Sequence, residues 1–369
     1  MSAEDRAYML RALQLAARGK ATTHPNPRVG CVIVRDDRIV GEGWHVRAGE
    51  PHAEVHALRQ AGDAARGATV YVTLEPCSHF GRTPPCADAL IAAGVRRVVA
   101  ALKDPNPHVA GQGLSRLRTA GIEVRVGLCA AAARRLNRGF LSRQTRHRPW
   151  LTLKLAMSLD GRTALADGTS QWITGEAARA DVHRLRAEAG AVLTSAATVL
   201  ADDPQLTARL PGITRQPDRV VLDRCGRVPP TARVWAAGVR RFAVLGASVP
   251  PALRDALQRL EVEVLTVPEV DGHLALGEVL DRLATAGVNE VFVECGPRLA
   301  GAWLETELVD ELLVYVAPCL LGDAAQPLAV LPALQRLTQA RRWDFVDSVA
   351  VGDDLRLRLS PPRATEETD

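Results

Sequence analysis

Aromatic residues are scarce in this chain, at 4% of 369 positions, so Leu, Val and Ala must do most of the core packing. No apolar run is long enough to cross a bilayer as a helix. The opening stretch MSAEDRAYML has acids where a cleavable signal would carry basic residues. A charge surplus is also missing. Lys and Arg number 46 against 42 Asp and Glu, a net of +4, and the arginines are scattered rather than gathered into the basic stripe of a nucleic-acid binder. Seven cysteines, an odd number spread over a long chain, do not make a disulfide framework. These absences predict a cytoplasmic protein with reduced thiols and with no membrane and no nucleic acid among its partners. Any cysteine cluster then becomes a metal or catalytic candidate. Cys31, Cys129, Cys225, Cys295 and Cys319 stand alone, in settings that suit a small buried hydrophobe.

The length favours two domains over one core. From residue 4 the chain reads as helix, two strands (VGCVIV, RIVGEGW), helix, buried strand (ATVYVTL), helix (CADALIAAG, stopped by Gly94), strand, helix, strand, and then one helix over AAARRLNRGFLSRQ. This alternation is that of a layered α/β domain over 1–147, closed by the short polar linker TRHRP. A second α/β domain spans 148–363. It opens on WLTLKLAMSLDG and ends in the hairpin DFVDSVAVGDDLRLRLS, and residues 364–369 are expected to form a disordered acidic tail.

The stretch PHAEVHALRQ places His52 and His56 four apart, on one face of a helix, with Glu54 between them. As a zinc protease motif it is defective, because Ala53 holds the place that H-E-x-x-H gives to Glu. Downstream stands EPCSHFGRTPPC, with Cys77 and Cys86 flanking a loop that holds His79. One His and two Cys form a zinc set that leaves the fourth position open for water. With His79 as fourth ligand the site would instead be closed and structural. Pro51 suits a first helical turn, which puts His52 and Glu54 at the helix end, and Cys86 would open a helix whose dipole favours a thiolate. Zn²⁺ with two thiolates and a neutral His sums to zero charge, so its water needs a neighbouring base, and Glu54 is two residues from His52. The order H-x-E … P-C … C is the signature of zinc deaminases, in which the Glu moves protons from the attacking water to the ring and to departing ammonia. His56 is then a packed or hydrogen-bonded helix residue. The cysteine gap holds eight residues where C-x-x-C is usual, which points away from nucleic-acid editors.

HPNPRVGCVIV, GEPHAEVHAL, TLEPCSHFGRTPPC and DPNPHVAGQG together resemble the bifunctional deaminase–reductase family of bacterial riboflavin synthesis. The second half agrees, in LKLAMSLDGRTA, SQWITG, TSAATVLADDPQLTAR, ECGPRLAGAWLE and VDELLVYVAPCLLG. The resemblance implies a cytidine deaminase-like three-layer domain followed by a dihydrofolate reductase-like domain. It implies zinc-dependent loss of the 2-amino group of 2,5-diamino-6-(5-phosphoribosylamino)pyrimidin-4-one. NADPH reduction of the ribosyl chain would then give 5-amino-6-(5-phosphoribitylamino)uracil. A homo-oligomer, dimer or tetramer, is expected. By matching motifs, His52, Cys77 and Cys86 would bind zinc, Glu54 would be the proton shuttle, and Asn26, His45, His79, Asp104 and Asn106 would contact the deaminase substrate. The competing reading is a nucleoside or tRNA deaminase with a non-catalytic second domain.

The second half lacks the Rossmann G-x-G-x-x-G, so NADPH enters through the resemblance alone. The resemblance assigns Ala156, Trp172, Thr198, Asp202 and the turn Gly296, Pro297, Arg298 and Leu299 to the cofactor. To the phosphoribosyl substrate it assigns Ser170, Arg186, Leu206, Arg209 and Glu294. Arg186 and Arg209 suit a phosphate, which guanidinium matches bidentately. Lys154, a lysine among strand leucines, is expected at the same cleft. Cys295 stands where a small residue such as Ala is expected, a weak point to oxidation if exposed.

Overall fold

Glycines fix how closely helices approach the first sheet. A Cβ on Gly30 would meet the carbonyl oxygen of Ala12 at 2.0 Å, and one on Gly43 would meet that of Ala53 at 2.3 Å. Helix α1 (Ala3–Ala17) therefore lies directly on strand β1 (Gly30–Arg35), and α2 (Ala53–Ala61) on β2 (Arg38–Trp44). The computed structural model describes residues 2–78, 85–106 and 110–362. It separates into two compact units, Met1–Arg148 and Pro149–Asp369.

The first unit continues through β3 (Thr69–Val72), α3 (Cys86–Ala92), β4 (Arg97–Ala100), α4 (Gln112–Thr119), β5 (Glu123–Val126), α5 (Ala130–Leu136) and α6 (Arg138–Arg146). Its sheet runs β2-β1-β3-β4-β5, antiparallel in its first two pairings and parallel in the rest. Side chains alternate across the strands. Cys31, Ile33, Val70 and Val98 pack with Ala57 of α2, Leu90 of α3 and Leu117 of α4. Val32, Val34, Tyr71 and Val99 face the other way, onto Met9 of α1, Ala133 of α5 and Phe140 of α6. The result is three layers, α/β/α.

Two local expectations need correction. The single helix expected over 131–144 is broken at Asn137, whose backbone leaves the helical region at φ −107°, ψ 20°. There its side chain is drawn into a two-way hydrogen bond with the backbone of Arg28: Oδ1 accepts from the amide at 2.7 Å, and Nδ2 donates to the carbonyl at 2.9 Å. Pro51 does not enter α2. His52 is the N-cap residue, with extended backbone, and the helix starts at Ala53.

The second unit holds β6 (Trp150–Ser158), β7 (Arg162–Ala164), α7 (Glu176–Glu188), β8 (Ala191–Ser195), α8 (Ala196–Asp202), β9 (Asp218–Leu222), β10 (Arg241–Leu245), α9 (Pro251–Arg259) and β11 (Glu263–Thr266). After these come the small pair β12 (Glu269–Val270) and β13 (His273–Leu274), α10 (Leu276–Thr285), β14 (Glu290–Glu294), α11 (Pro297–Glu305), β15 (Glu311–Ala317), β16 (Gln326–Pro327), β17 (Asp344–Val351) and β18 (Asp354–Ser360). Nine strands form one sheet in the order β11-β10-β9-β8-β14-β6-β15-β18-β17. From β11 to β15 all neighbours are parallel, and the last two strands are the expected hairpin. Leu283 of α10 and Trp303 of α11 cover one face. Val182 of α7, Val199 of α8 and Leu257 of α9 cover the other. Because β9, β8, β14, β6 and β15 run parallel, their carboxyl ends share one edge, the usual place for a ligand in an open α/β sheet. Among the described residues, no helix is long and apolar enough to cross a membrane. The tail 364–369 lies outside the described residues.

Candidate functional site

In the first unit, the N-cap position of α2 aims the imidazole of His52 at the start of α3. Its Nδ1 lies 3.3 Å from Cys86 Sγ and 3.5 Å from Cys77 Sγ. Zn–S and Zn–N bonds of about 2.3 and 2.0 Å at a tetrahedral centre place N and S roughly 3.5 Å apart, so these three donors suit zinc. Their ligand atoms all lie within 4.8 Å of one another. His56, one turn along α2, is not in this group, and its buried Nε2 has no hydrogen-bond partner among the described residues. The helix-face pairing of the two histidines is thereby excluded as the metal pair.

A hydrogen bond from the Cys86 thiol holds Cys77 down to about 4, helped by His52 and by the Cys86 amide, which donates to Cys77 Sγ at 3.3 Å. The same contact, with burial, pushes the Cys86 thiol far up. Glu54 is 3% exposed, and burial pushes its carboxyl up to about 7. Its carboxyl meets the Cys86 thiol, and a nearby dication would favour the ionised form.

His45 and Asn26 stand beside these groups. The His45 ring is set edge-on to His52, with ring centroids 5.4 Å apart. Its Nδ1 lies 3.2 Å from the carbonyl oxygen of Pro51, so Nδ1–H donates there and the bare Nε2 accepts from Asn26 Nδ2 at 3.1 Å. Burial lowers the His45 pKa, which keeps the ring neutral. Asp104 is buried, and its Oδ1 accepts from the Asn106 amide at 2.8 Å in a tight turn. His79 lies outside the described residues. Two residues that the sequence reading passed over belong here. Glu75, inside the quoted EPC, accepts backbone amides of the 104–114 segment. Asn137 anchors the loop carrying Asn26. An acid directly before P-C was the available signal for the first. Nothing local marks the second.

In the second unit, the parallel register sets Glu294 of β14 beside Lys154 of β6. Burial lowers the Lys154 pKa, and its Nζ stands 5.8 Å over the Tyr315 ring. Ala156 is registered against Tyr315 across β15. Arg186, on the last turn of α7, forks onto Glu294 and donates through Nη1 to the Thr207 carbonyl at 3.0 Å. Leu206 is buried at φ +53°, and Arg209 is exposed three residues later. Thr198 lies in the first turn of α8, where Ser195 Oγ accepts from its amide at 3.3 Å, and Asp202 ends that helix. Ser170 and Trp172 lie on the loop before α7. The Trp172 ring is 67% exposed, with the Arg179 guanidinium 4.6 Å over it. Gly296 caps α11 with extended backbone and no side-chain cap, and a Cβ there would meet nothing within 4 Å. Pro297 brings no N–H, so the amides of Arg298 and Leu299 head an open helix end that suits a cofactor phosphate. Burial pushes the Cys295 thiol up to about 12, which favours its protonated form in this turn.

Residues 2–102 match the family model of the cytidine and deoxycytidylate deaminase zinc-binding region, and residues 149–357 match that of the RibD C-terminal domain. The riboflavin biosynthesis protein RibD of Escherichia coli (strain K12) is 54% identical over 96% of this chain and 99% of its own length. That of Bacillus amyloliquefaciens is 43% identical over 98% of each. The solved structure of Acinetobacter baumannii RibD superposes with a TM-score of 0.91 at 46% identity, covering 98% of this chain and 99% of its own. A diaminohydroxyphosphoribosylaminopyrimidine deaminase/5-amino-6-(5-phosphoribosylamino)uracil reductase from Thermotoga maritima superposes at 0.84 with 33% identity, over 97% and 99%. With both halves matched in order and relatives aligned end to end, the chain belongs to the riboflavin biosynthesis protein RibD family.

Proposed function

We infer that the two units divide the family's reactions between them. The first removes the 2-amino group of 2,5-diamino-6-(5-phosphoribosylamino)pyrimidin-4-one, and the second reduces the ribosyl chain to ribityl. The chain is a riboflavin-biosynthesis enzyme, a hydrolase and an oxidoreductase in one polypeptide. The observation that carries the residue-level reading is the convergence of His52, Cys77 and Cys86 with a buried Glu54 beside them.

His52 Nδ1 and the two sulfurs would hold zinc, which when bound supplies the Lewis acidity that readies water for attack. Glu54 takes one proton from that water and delivers it to the ring nitrogen, then takes the second from the hydroxyl of the adduct and delivers it to the departing amino group. Water adds its oxygen to the ring carbon, the C–N bond breaks, and ammonia departs. Asn26 presents its side-chain amide toward the pyrimidine edge, held in orientation by the neutral His45. Asp104 and Asn106 hold the phosphoribosyl end. In the second unit the open end of α11, with Ala156, Trp172, Thr198 and Asp202, binds NADPH, which supplies two electrons as hydride. Lys154, Ser170, Leu206, Arg209 and Glu294 hold the substrate against it.

Seven free thiols accord with a reducing, cytoplasmic setting. The active form is a homo-oligomer. Strand β17 is the outer strand of its sheet, yet it exposes Phe345, Val346 and Val349, an edge that a second copy would cover.

The decisive experiment supplies the diaminopyrimidine and follows ammonia release and NADPH oxidation separately. Glu54→Gln should keep its zinc, lose deamination by about a thousandfold or more, and still reduce the deaminated substrate. Full ammonia release by that variant would remove Glu54 from the mechanism.

A further inference from the structure

The carboxylate of Glu75 is 4% exposed and is filled entirely by backbone amides. Its Oε2 accepts from Asp104 N at 3.1 Å and Gly111 N at 2.9 Å, and its Oε1 accepts from Gly113 N at 3.0 Å and Leu114 N at 3.3 Å. One oxygen thus gathers both ends of the 104–111 segment, and the other holds the first turn of α4. The joint is tight, because a Cβ on Gly113 would sit 2.0 Å from the carbonyl oxygen of Pro76. Glu75 and Pro76 lead directly into Cys77, whose sulfur faces His52 and whose carbonyl accepts from Ala87 N at 3.1 Å.

We propose that Glu75 is a positioning residue of the deaminase. It fixes the segment bearing Asp104 and Asn106 against the strand end that carries Cys77, and so sets the distance between substrate grip and metal centre. The inference rests on the deaminase reading given above. A carboxylate is needed because four donors converge on two acceptor oxygens. Gln offers one acceptor and turns an NH₂ toward two amides, which leaves donors facing donors. Glu75 touches neither metal ligand atoms nor the reacting ring, so its loss should act on substrate binding more than on turnover.

The test uses the full-length zinc-loaded protein. Glu75→Gln should keep one zinc per chain and full reduction of the deaminated substrate, while the deaminase KM rises by about tenfold or more and kcat changes far less. In a double-mutant cycle, Asn106→Ala should raise KM much less in the Glu75→Gln background than in the parent. Additive effects would overturn the proposal, as would an unchanged KM. Loss of zinc would also overturn it, since Glu75 would then serve the metal turn. Amide exchange at Gly113 and Leu114 should quicken in the variant, and unchanged protection overturns the tether with no substrate present. A parent enzyme that releases no ammonia from the diaminopyrimidine overturns the functional reading, and amide exchange still decides the tether. If Glu75→Gln does not fold, Gly113→Ala opens the same joint from the other side. It should show the same rise in KM, and a normal KM there would refute the idea.

Discussion

The guanidinium of Arg186 closes on the carboxylate of Glu294 fork to fork, with Nη2 donating to Oε2 at 2.9 Å and Nε to Oε1 at 2.5 Å. The remaining arm, Nη1, is committed to the Thr207 carbonyl. Three of its five N–H donors are so engaged, which fixes its plane against Glu294. It holds Glu294 in place beside Lys154, and Arg209 is the exposed one of the two arginines.

The two arginines should therefore fail differently. Arg209→Ala is expected to raise the reductase KM for the phosphorylated substrate by about tenfold, which corresponds to about 1.4 kcal/mol, with the KM for NADPH little changed. Arg186→Lys keeps the charge but loses the planar fork. It should lower kcat, because Glu294 is no longer held. Steady-state kinetics with each substrate varied in turn separate the cases. A rise in the NADPH KM alone for Arg209→Ala would mean that the two binding ends are exchanged.

Removing one metal ligand should silence one reaction only. Cys77→Ser replaces a thiolate with a hydroxyl that zinc prefers far less. Metal analysis should find the variant without zinc, and ammonia release should be abolished. Reduction of already deaminated substrate should persist, since the second unit has cores of its own. Retained zinc in this variant would point to a ligand outside the described residues.

What was legible in the sequence was whatever is local. The apolar run Cys31 to Val34 announces a strand, and two cysteines with His-x-Glu announce a metal centre with its base. What was not legible depends on partners far away in the chain. AAARRLNRGFLSRQ has helix-forming residues on both sides of Asn137, and the residue that breaks it there is Arg28, 109 positions earlier. The pairing of Arg186 with Glu294 could not be read, because that carboxylate lies 108 positions away. Glu75 was passed over, because the amides that fill it belong to a later loop and helix.

The outer strand makes a prediction about assembly. Phe345 and Val349 are exposed at 70% and 41%, on a strand with one side unpaired. Replacing both with Glu places charge where a second copy would pack. Sedimentation should show the parent as a dimer or tetramer and the double variant shifted to monomer, with the helical signal unchanged. A parent that sediments as a monomer would remove the oligomer from the proposal.

Asn137 is 2% exposed and uses both functions of its amide on one residue, accepting from Arg28 N and donating to Arg28 O. Ala in its place removes both bonds and leaves no room for easy solvation, a loss of about 2 kcal/mol or more in urea denaturation. Asp still accepts the amide but cannot donate to the carbonyl, so its loss should be intermediate. The order Asn, Asp, Ala therefore distinguishes a two-way bond from simple filling of space, for which the near-isosteric Asp would match Asn. Since Arg28 is two residues from Asn26, the same order should appear in the deaminase KM. A stability loss without that KM trend would show that Asn137 supports the fold but not the substrate contact proposed for Asn26.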